Sequence, residues 1–98
     1  MGHQQRGDNK SIRTHQTRLF LLCRLKDVSE ISGTGYVAEG TQYHDGQCTL
    51  SWFGKYHSLE VQPSIEQLAK IHGHDGKTVV EWASQTYINA IKKGSKCR

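Results

Sequence analysis

The chain has 98 residues and a formal net charge of +4, which is enough for one small domain with a modest core. A cleft between two domains is excluded at this length, whereas a shallow site on a face or an edge is not. The longest apolar run, Leu19 to Cys23, falls well short of the roughly 20 residues that a membrane-spanning helix needs. The N-terminal residues lack the apolar segment of a signal peptide, so we expect a cytoplasmic protein.

The positive charge is concentrated at the two ends. Residues 1–17 carry three basic residues and one acidic residue, and residues 92–98 carry four basic residues. Residues 18–91 carry six basic and eight acidic residues, so the part that should fold is slightly acidic. We interpret residues 1–17 as a flexible basic arm and residues 94–98 as a basic tail.

The first half of the chain reads as a series of strands. Alternating apolar residues from Leu19 to Leu25 predict a largely buried strand, and Tyr36 to Glu39 predicts a short second one. Asp45-Gly46 then favours a tight hairpin of the primed type between residues 40–44 and residues 47–53.

The second half mixes strands and helices. Leu59 and Val61 alternate with polar residues and predict another strand, which Pro63 ends. Ser64 is a good N-cap for a helix that Gly73 ends. A last strand follows over residues 78–82, and a C-terminal helix is predicted over residues 83–93.

The predicted order is β-β-β-β-α-β-α, which places the chain in the α+β class. Residues 18–82 form the small β-rich domain of this prediction. Short strands and tight turns favour a curled antiparallel sheet of SH3-like barrel type. An open sheet covered by a helix is the alternative.

Three cysteines, Cys23, Cys48 and Cys97, show no spacing typical of a metal site or a redox motif. Cys23 and Cys48 fall on apolar strand faces, where a free cysteine behaves as a small hydrophobic residue. Cys97 lies in the tail, and we expect it to be an exposed thiol.

The motifs between residues 28 and 82 resemble a group of small prokaryotic proteins, many of them encoded by phages. The resemblance depends on the run from Ser32 to Gly40 (SGTGYVAEG), on Asp45-Gly46, and on Ser51-Trp52. It continues through PSIE, IHGHDG and TVVEW, and it covers roughly residues 19–82. It implies no reaction, so no functional residue is carried over from it.

The run His72-Gly73-His74-Asp75 contains the side chains from which a metal site could be built. Imidazole and carboxylate groups bind zinc and other transition metals, so His72, His74 and Asp75 are candidate ligands of a metal-dependent enzyme. The two histidines are two positions apart at a helix end, however, and should point in different directions. The alternative is that His72 closes the apolar helix face and His74-Asp75-Gly76 forms a polar turn. No catalytic residue is assigned.

A nucleic-acid interface is the other candidate site. Basic side chains at the two ends could contact phosphates, and exposed aromatic residues could stack on bases. Trp52 and Trp82 are more typical of a core in so small a domain. The candidate residues are Arg6, Lys10, Arg13, Arg18, Tyr43, Phe53, Tyr56, Lys92, Lys93, Lys96 and Arg98.

Three functions are therefore open. We favour a small non-enzymatic accessory protein, possibly phage-encoded, that acts through protein-protein contacts or as a homo-oligomer. A nucleic-acid-binding module is the second function, and the ends could equally be solubilising only. An enzyme built around the histidines is the third. The sequence implies no cofactor and no membrane partner.

Overall fold

The computed structural model describes residues 16–27, 33–54, 58–91 and 95–97. Its elements are β1 (Arg18–Arg24), β2 (Gly35–Gln42), β3 (Cys48–Trp52), β4 (Leu59–Gln62), α1 (Ile65–His72), β5 (Thr78–Trp82) and α2 (Gln85–Ala90). The predicted order of strands and helices is confirmed. In the part of the chain that the structure describes, no helix is long and apolar enough to cross a membrane.

The five strands form one antiparallel sheet in the order β4-β3-β2-β1-β5. The sheet is open because β4 and β5 lie at opposite edges, so the SH3-like barrel is not confirmed and the alternative architecture is found. The connection between β4 and β5 explains why the sheet does not close into a barrel. Helix α1 joins them and covers one face of the sheet, and α2 covers part of the other face.

Strand β2 is one continuous strand where the sequence predicts two short segments. A bulge accompanies the register shift between Leu22 and Cys23, which pair with Ala38 and Tyr36 and leave Val37 as an extra residue. The bulge changes the face on which the following side chains lie. As a result Ala38 packs on the α1 face, while Tyr36 packs on the α2 face.

The hairpin at Asp45-Gly46 is confirmed, but its turn type differs from the prediction. Gly46 N–H donates to Tyr43 O (2.9 Å), and Tyr43 N–H donates to Gln47 O (2.8 Å). Gly46 alone has a positive φ in this loop, +94°. This is the pattern of a three-residue loop with glycine in the left-handed position, not of a primed two-residue turn.

The core on the α1 face consists of buried side chains from β1, β2, β3 and α1. Ser64 Oγ accepts a hydrogen bond from Gln67 N–H (3.0 Å), which confirms the predicted N-cap of α1. Leu68 is the helix residue buried in this core, with 1% exposure. The buried members are Phe20, Leu22, Ala38, Cys48, Leu50 and Leu68.

The core on the α2 face is centred on Tyr36, whose ring is fully buried. Its hydroxyl donates to Glu81 Oε1 (2.5 Å) and lies 3.0 Å from the hydroxyl of Tyr87 on α2. A buried hydroxyl needs such partners, because a lost hydrogen bond costs about 1–3 kcal/mol. Ile88 packs in the same core, so α2 belongs to this domain.

Cys97 is not an exposed thiol, because it forms a disulfide with Cys23. Their Cα atoms are 6.1 Å apart, within the normal range for a disulfide. Ser95 O also accepts a hydrogen bond from Tyr36 N–H (3.0 Å), so the C-terminal segment lies against the sheet. Disulfides persist mainly in oxidising surroundings, so the cysteines no longer support a cytoplasmic location.

Cys48 stays free and fully buried, as expected for a small apolar residue. Burial raises the pKa of its thiol, and the negative charges of Glu60 and Glu66 add to this effect. A thiol held in its neutral form is a poor nucleophile. Cys48 therefore contributes to the packing of the core on the α1 face.

Candidate functional site

An apolar groove lies between α1 and the edge strand β5. It encloses a cavity of about 770 Å³. Ile65, Leu68 and Ala69 line it from the helix, and Val80 lines it from the strand. A groove of this size and composition is typical of a site that binds apolar side chains.

The backbone of β5 beside this groove faces outward. Ala83 N–H donates to Leu19 O (3.1 Å) and Leu25 N–H donates to Lys77 O (2.7 Å). Because antiparallel pairs alternate between bonded and non-bonded positions, the N–H and C=O of Val80 point away from β1. Among the described residues no strand lies beyond β5.

The end of the groove is formed by the turn that joins α1 to β5. Gly73 has an ordinary φ of −72°, so the helix does not end through a left-handed glycine. A Cβ at Gly73 would instead lie 2.4 Å from Ala69 O, so close backbone approach excludes a side chain there. His74 and Asp75 adopt positive φ angles (48° and 56°), which gives this turn its shape.

Charged side chains surround the apolar lining. Glu66 and Lys70 lie on α1, and His74 and Asp75 lie on the turn, all four on the rim of the cavity. All four are exposed. The groove therefore has an apolar floor and a polar rim of mixed sign, as protein-binding sites do.

A polar cluster joins the C-terminal end of α1 to β3 and β4. Trp52 Nε1 donates to Glu60 Oε1 (3.2 Å), and Gln62 Nε2 donates to Glu60 Oε2 (2.6 Å). His72 Nε2 also lies 2.6 Å from Oε2. The His72 ring also packs edge-on against Trp52, with 5.0 Å between ring centroids.

The pKa of Glu60 lies below its usual value of 4.5. Partial burial acts to raise it, but the hydrogen bonds from His72, Gln62 and Trp52 outweigh that effect. These groups favour the ionised carboxylate. The cluster is therefore a structural link between α1 and the sheet.

The structure does not bring the three candidate metal ligands together. His72 is bound to Glu60, whereas His74 and Asp75 are exposed on the turn that follows. Within residues 16–27, 33–54, 58–91 and 95–97 no group of three potential ligands could hold a metal ion. The alternative interpretation of His72 as a helix-face residue agrees with its half-buried position.

Four of the candidate nucleic-acid residues lie in the part of the chain that the structure describes: Arg18, Tyr43, Phe53 and Lys96. Arg18 lies over the ring of Trp82, 3.6 Å from its centroid. Lys96 is exposed in the C-terminal segment, close to the disulfide. Seven of the candidates lie outside the described residues: Arg6, Lys10, Arg13, Tyr56, Lys92, Lys93 and Arg98.

The two aromatic candidates that the structure describes, Tyr43 and Phe53, have different surroundings. Tyr43 is 41% exposed, and its hydroxyl lies 3.3 Å from Thr49 Oγ1. Phe53 is half-buried against the core of the α2 face, so it is less accessible than expected. Trp52 and Trp82 pack partly buried against the core of the α1 face.

The sequence interpretation did not identify the groove. It predicts the helix and the last strand that border the groove, but not that they enclose a cavity. The missing information was the position of β5 at the sheet edge. No local pattern carries that information, because strand order depends on pairings that are distant in sequence.

Comparison with known proteins identifies one family. The sequence model of the Acb5 phage protein family matches residues 17–84, which includes all five strands and α1. No curated protein and no solved structure gives a significant match. Because the match covers well over half of the chain, the chain belongs to the Acb5 phage protein family.

Proposed function

We propose that this chain is a phage-encoded accessory protein, without enzymatic activity, that binds an extended segment of another protein in the groove between α1 and β5. The observation that carries the proposal is the coincidence of an outward-facing strand edge with an apolar cavity of about 770 Å³. A segment added to β5 would bond to the backbone of Val80. Its alternate side chains would enter the cavity, as in other complexes formed by strand addition.

The opposite edge of the sheet supports this function less well. Strand β4 exposes Leu59 (75%) and Val61 (65%), which gives it apolar side chains. Beside Val61 lies a smaller cavity, of about 310 Å³, bordered mainly by the hairpin loop. Pro63 follows β4 directly and limits the length over which a partner strand could pair.

In the test, a display library of random peptides is selected for binding to the immobilised full chain. We expect selected peptides to carry apolar residues at every second position. Ala69→Arg places a long charged side chain in the groove from an exposed helix position and should abolish their binding. Ala90→Arg is the matched control, because Ala90 is an exposed alanine on α2.

Two results would overturn the proposal. One is equal binding of the selected peptides to the Ala69→Arg variant and to the unchanged chain. The other is a dimer of the unchanged chain that Ala69→Arg dissociates, because the groove would then be occupied by a second copy. Circular dichroism of both variants checks that the fold is retained.

A further inference from the structure

Four cationic side chains gather at the end of the sheet where β1 ends and β5 begins. Arg24 is the last residue of β1, and Lys26 lies two residues further along the chain. The backbone N–H groups of Leu25 and Lys26 both donate to Lys77 O (2.7 and 3.1 Å), which places Lys26 beside Lys77. Three segments distant in sequence thus bring cations to one place, which we call the basic end: Arg24, Lys26, Lys77 and Lys96.

Lys96 belongs to the basic end because the C-terminal segment is fixed there. Its neighbour Ser95 accepts a hydrogen bond from Tyr36 N–H (3.0 Å), and its neighbour Cys97 is bonded to Cys23. Lys96 and Arg24 line the same small cavity, of about 230 Å³. Lys96 is itself exposed, so its charge is held at a defined place and still faces solvent.

In the basic end, the side chain of Arg24 makes one hydrogen bond to the backbone and keeps further N–H groups that could bind a ligand. Arg24 Nη1 donates to Gly33 O (3.3 Å), which uses one of the five N–H groups of the guanidinium. Among the described residues, Asp27 and Asp75 are carboxylates close in sequence to the basic end. Asp27 Oδ2 accepts a hydrogen bond from Gly33 N–H (2.5 Å).

We propose that the basic end binds the phosphodiester backbone of a nucleic acid. A planar guanidinium and several lysine ammonium groups are the side chains that bind phosphate oxygens. No aromatic ring capable of base stacking is among the four residues, so the contacts are to phosphates and carry little sequence preference. Lys77 lies between Gly76 and Thr78, which line the groove between α1 and β5, so the basic end adjoins the end of that groove.

The test is fluorescence anisotropy of the full chain with a labelled oligothymidylate over a salt series. Lys26→Glu and Lys77→Glu should each weaken binding about three- to tenfold at about 100 mM salt and make the salt dependence shallower. Arg18→Glu is the matched control, because Arg18 is an exposed cation at the opposite end of β1 from Arg24. It should change binding less than twofold.

A second variant tests whether the disulfide beside Lys96 contributes to binding. Cys97→Ser keeps every charge and the hydrogen bond from Tyr36 N–H to Ser95 O, but it removes the covalent link next to Lys96. We expect it to weaken binding at least twofold, with circular dichroism to check that the variant stays folded. Binding that is unaffected by Lys26→Glu, Lys77→Glu and Cys97→Ser would overturn the proposal. So would the absence of binding at about 50 mM salt, or equal competition by polyglutamate, which would show attraction to any polyanion.

Discussion

The two faces of the sheet differ in what holds their helix in place. On the α2 face a helix of six residues is accompanied by hydrogen bonds from Tyr36 and by the disulfide of Cys97. On the α1 face a helix of eight residues packs through Leu68 and Ile65, and its C-terminal end is joined to the sheet by His72. So short a helix as α2 gains little stability from its own backbone bonds, which explains the additional links.

The difference has a consequence for binding. The α2 face is closed by contacts that reach from the helix and the C-terminal segment into the core. The α1 face keeps an accessible cavity beside β5, and the side-chain link of its helix, from His72 to Glu60, lies toward the opposite edge of the sheet. This is the face on which we propose that a partner binds.

Removing the disulfide, which lies on the α2 face, is expected to lower the free energy of unfolding more than any other substitution proposed here. Cys97→Ser should lower the free energy of unfolding by about 3–4 kcal/mol, because the bond joins residues 74 positions apart. Urea unfolding measures the change. An excess of a dithiol reductant should destabilise the unchanged chain but not the variant; equal destabilisation of both would contradict a disulfide in solution.

Gly40→Ala tests the packing on the α1 face. A Cβ at Gly40 would lie 2.2 Å from Cζ of Phe20, so the ring must shift away from its cross-strand position. We expect a loss of about 1–3 kcal/mol in the free energy of unfolding, as in other overpacked cores.

Gly33→Ala is the control for this substitution. Gly33 has a φ of +88° but no neighbouring atom within 4 Å of a Cβ, so only backbone strain applies, at about 1 kcal/mol. Thermal unfolding compares the two variants. A smaller loss for Gly40→Ala than for Gly33→Ala would show that Phe20 does not pack over Gly40.

Glu60→Gln tests the single polar link between α1 and the opposite edge of the sheet. We expect a loss of about 1–2 kcal/mol at neutral pH, because the ionised carboxylate accepts three hydrogen bonds. The folded pKa of Glu60 is lowered, so its stabilising effect is present above its usual pKa of 4.5 and is lost as the pH falls through the folded value.

The measurement is urea unfolding from neutral pH down to about pH 3. The difference between Glu60→Gln and the unchanged chain should shrink as the pH falls below 4.5. Glu66→Gln, at an exposed position on the same helix, should show a much smaller difference at neutral pH. A difference that stays constant over this range would mean that Glu60 acts through packing alone.

Local features of the fold could be predicted from the sequence, and the features that join distant segments could not. Ser64 and the pair Asp45-Gly46 act on neighbouring residues, so their positions marked the helix start and the hairpin. The extra residue Val37 interrupts no apolar pattern, so the bulge in β2 was not visible. The partner of Cys97 lies 74 residues away, and spacing alone does not identify it.

The candidate site shows the same limit. The sequence singled out His72, His74 and Asp75 because they are adjacent, but adjacency at a helix end separates their side chains. The groove combines α1 with a strand edge whose exposure depends on the order of five strands. Lys26 and Lys77 are brought together by a backbone contact between two chain segments, which charge counting along the sequence did not reveal.

The disulfide also determines how the chain would respond to a mechanical force applied at its two ends. The bond between Cys23 and Cys97 closes a covalent ring that contains β2, β3, β4, β5 and both helices. Tension would pass from the N-terminal residues through the first part of β1 and across the sulfur atoms to Arg98. Most of the contour length lies inside this ring and cannot be extended by such a load, whereas Leu22, which lines the groove, lies in the part of β1 that carries it.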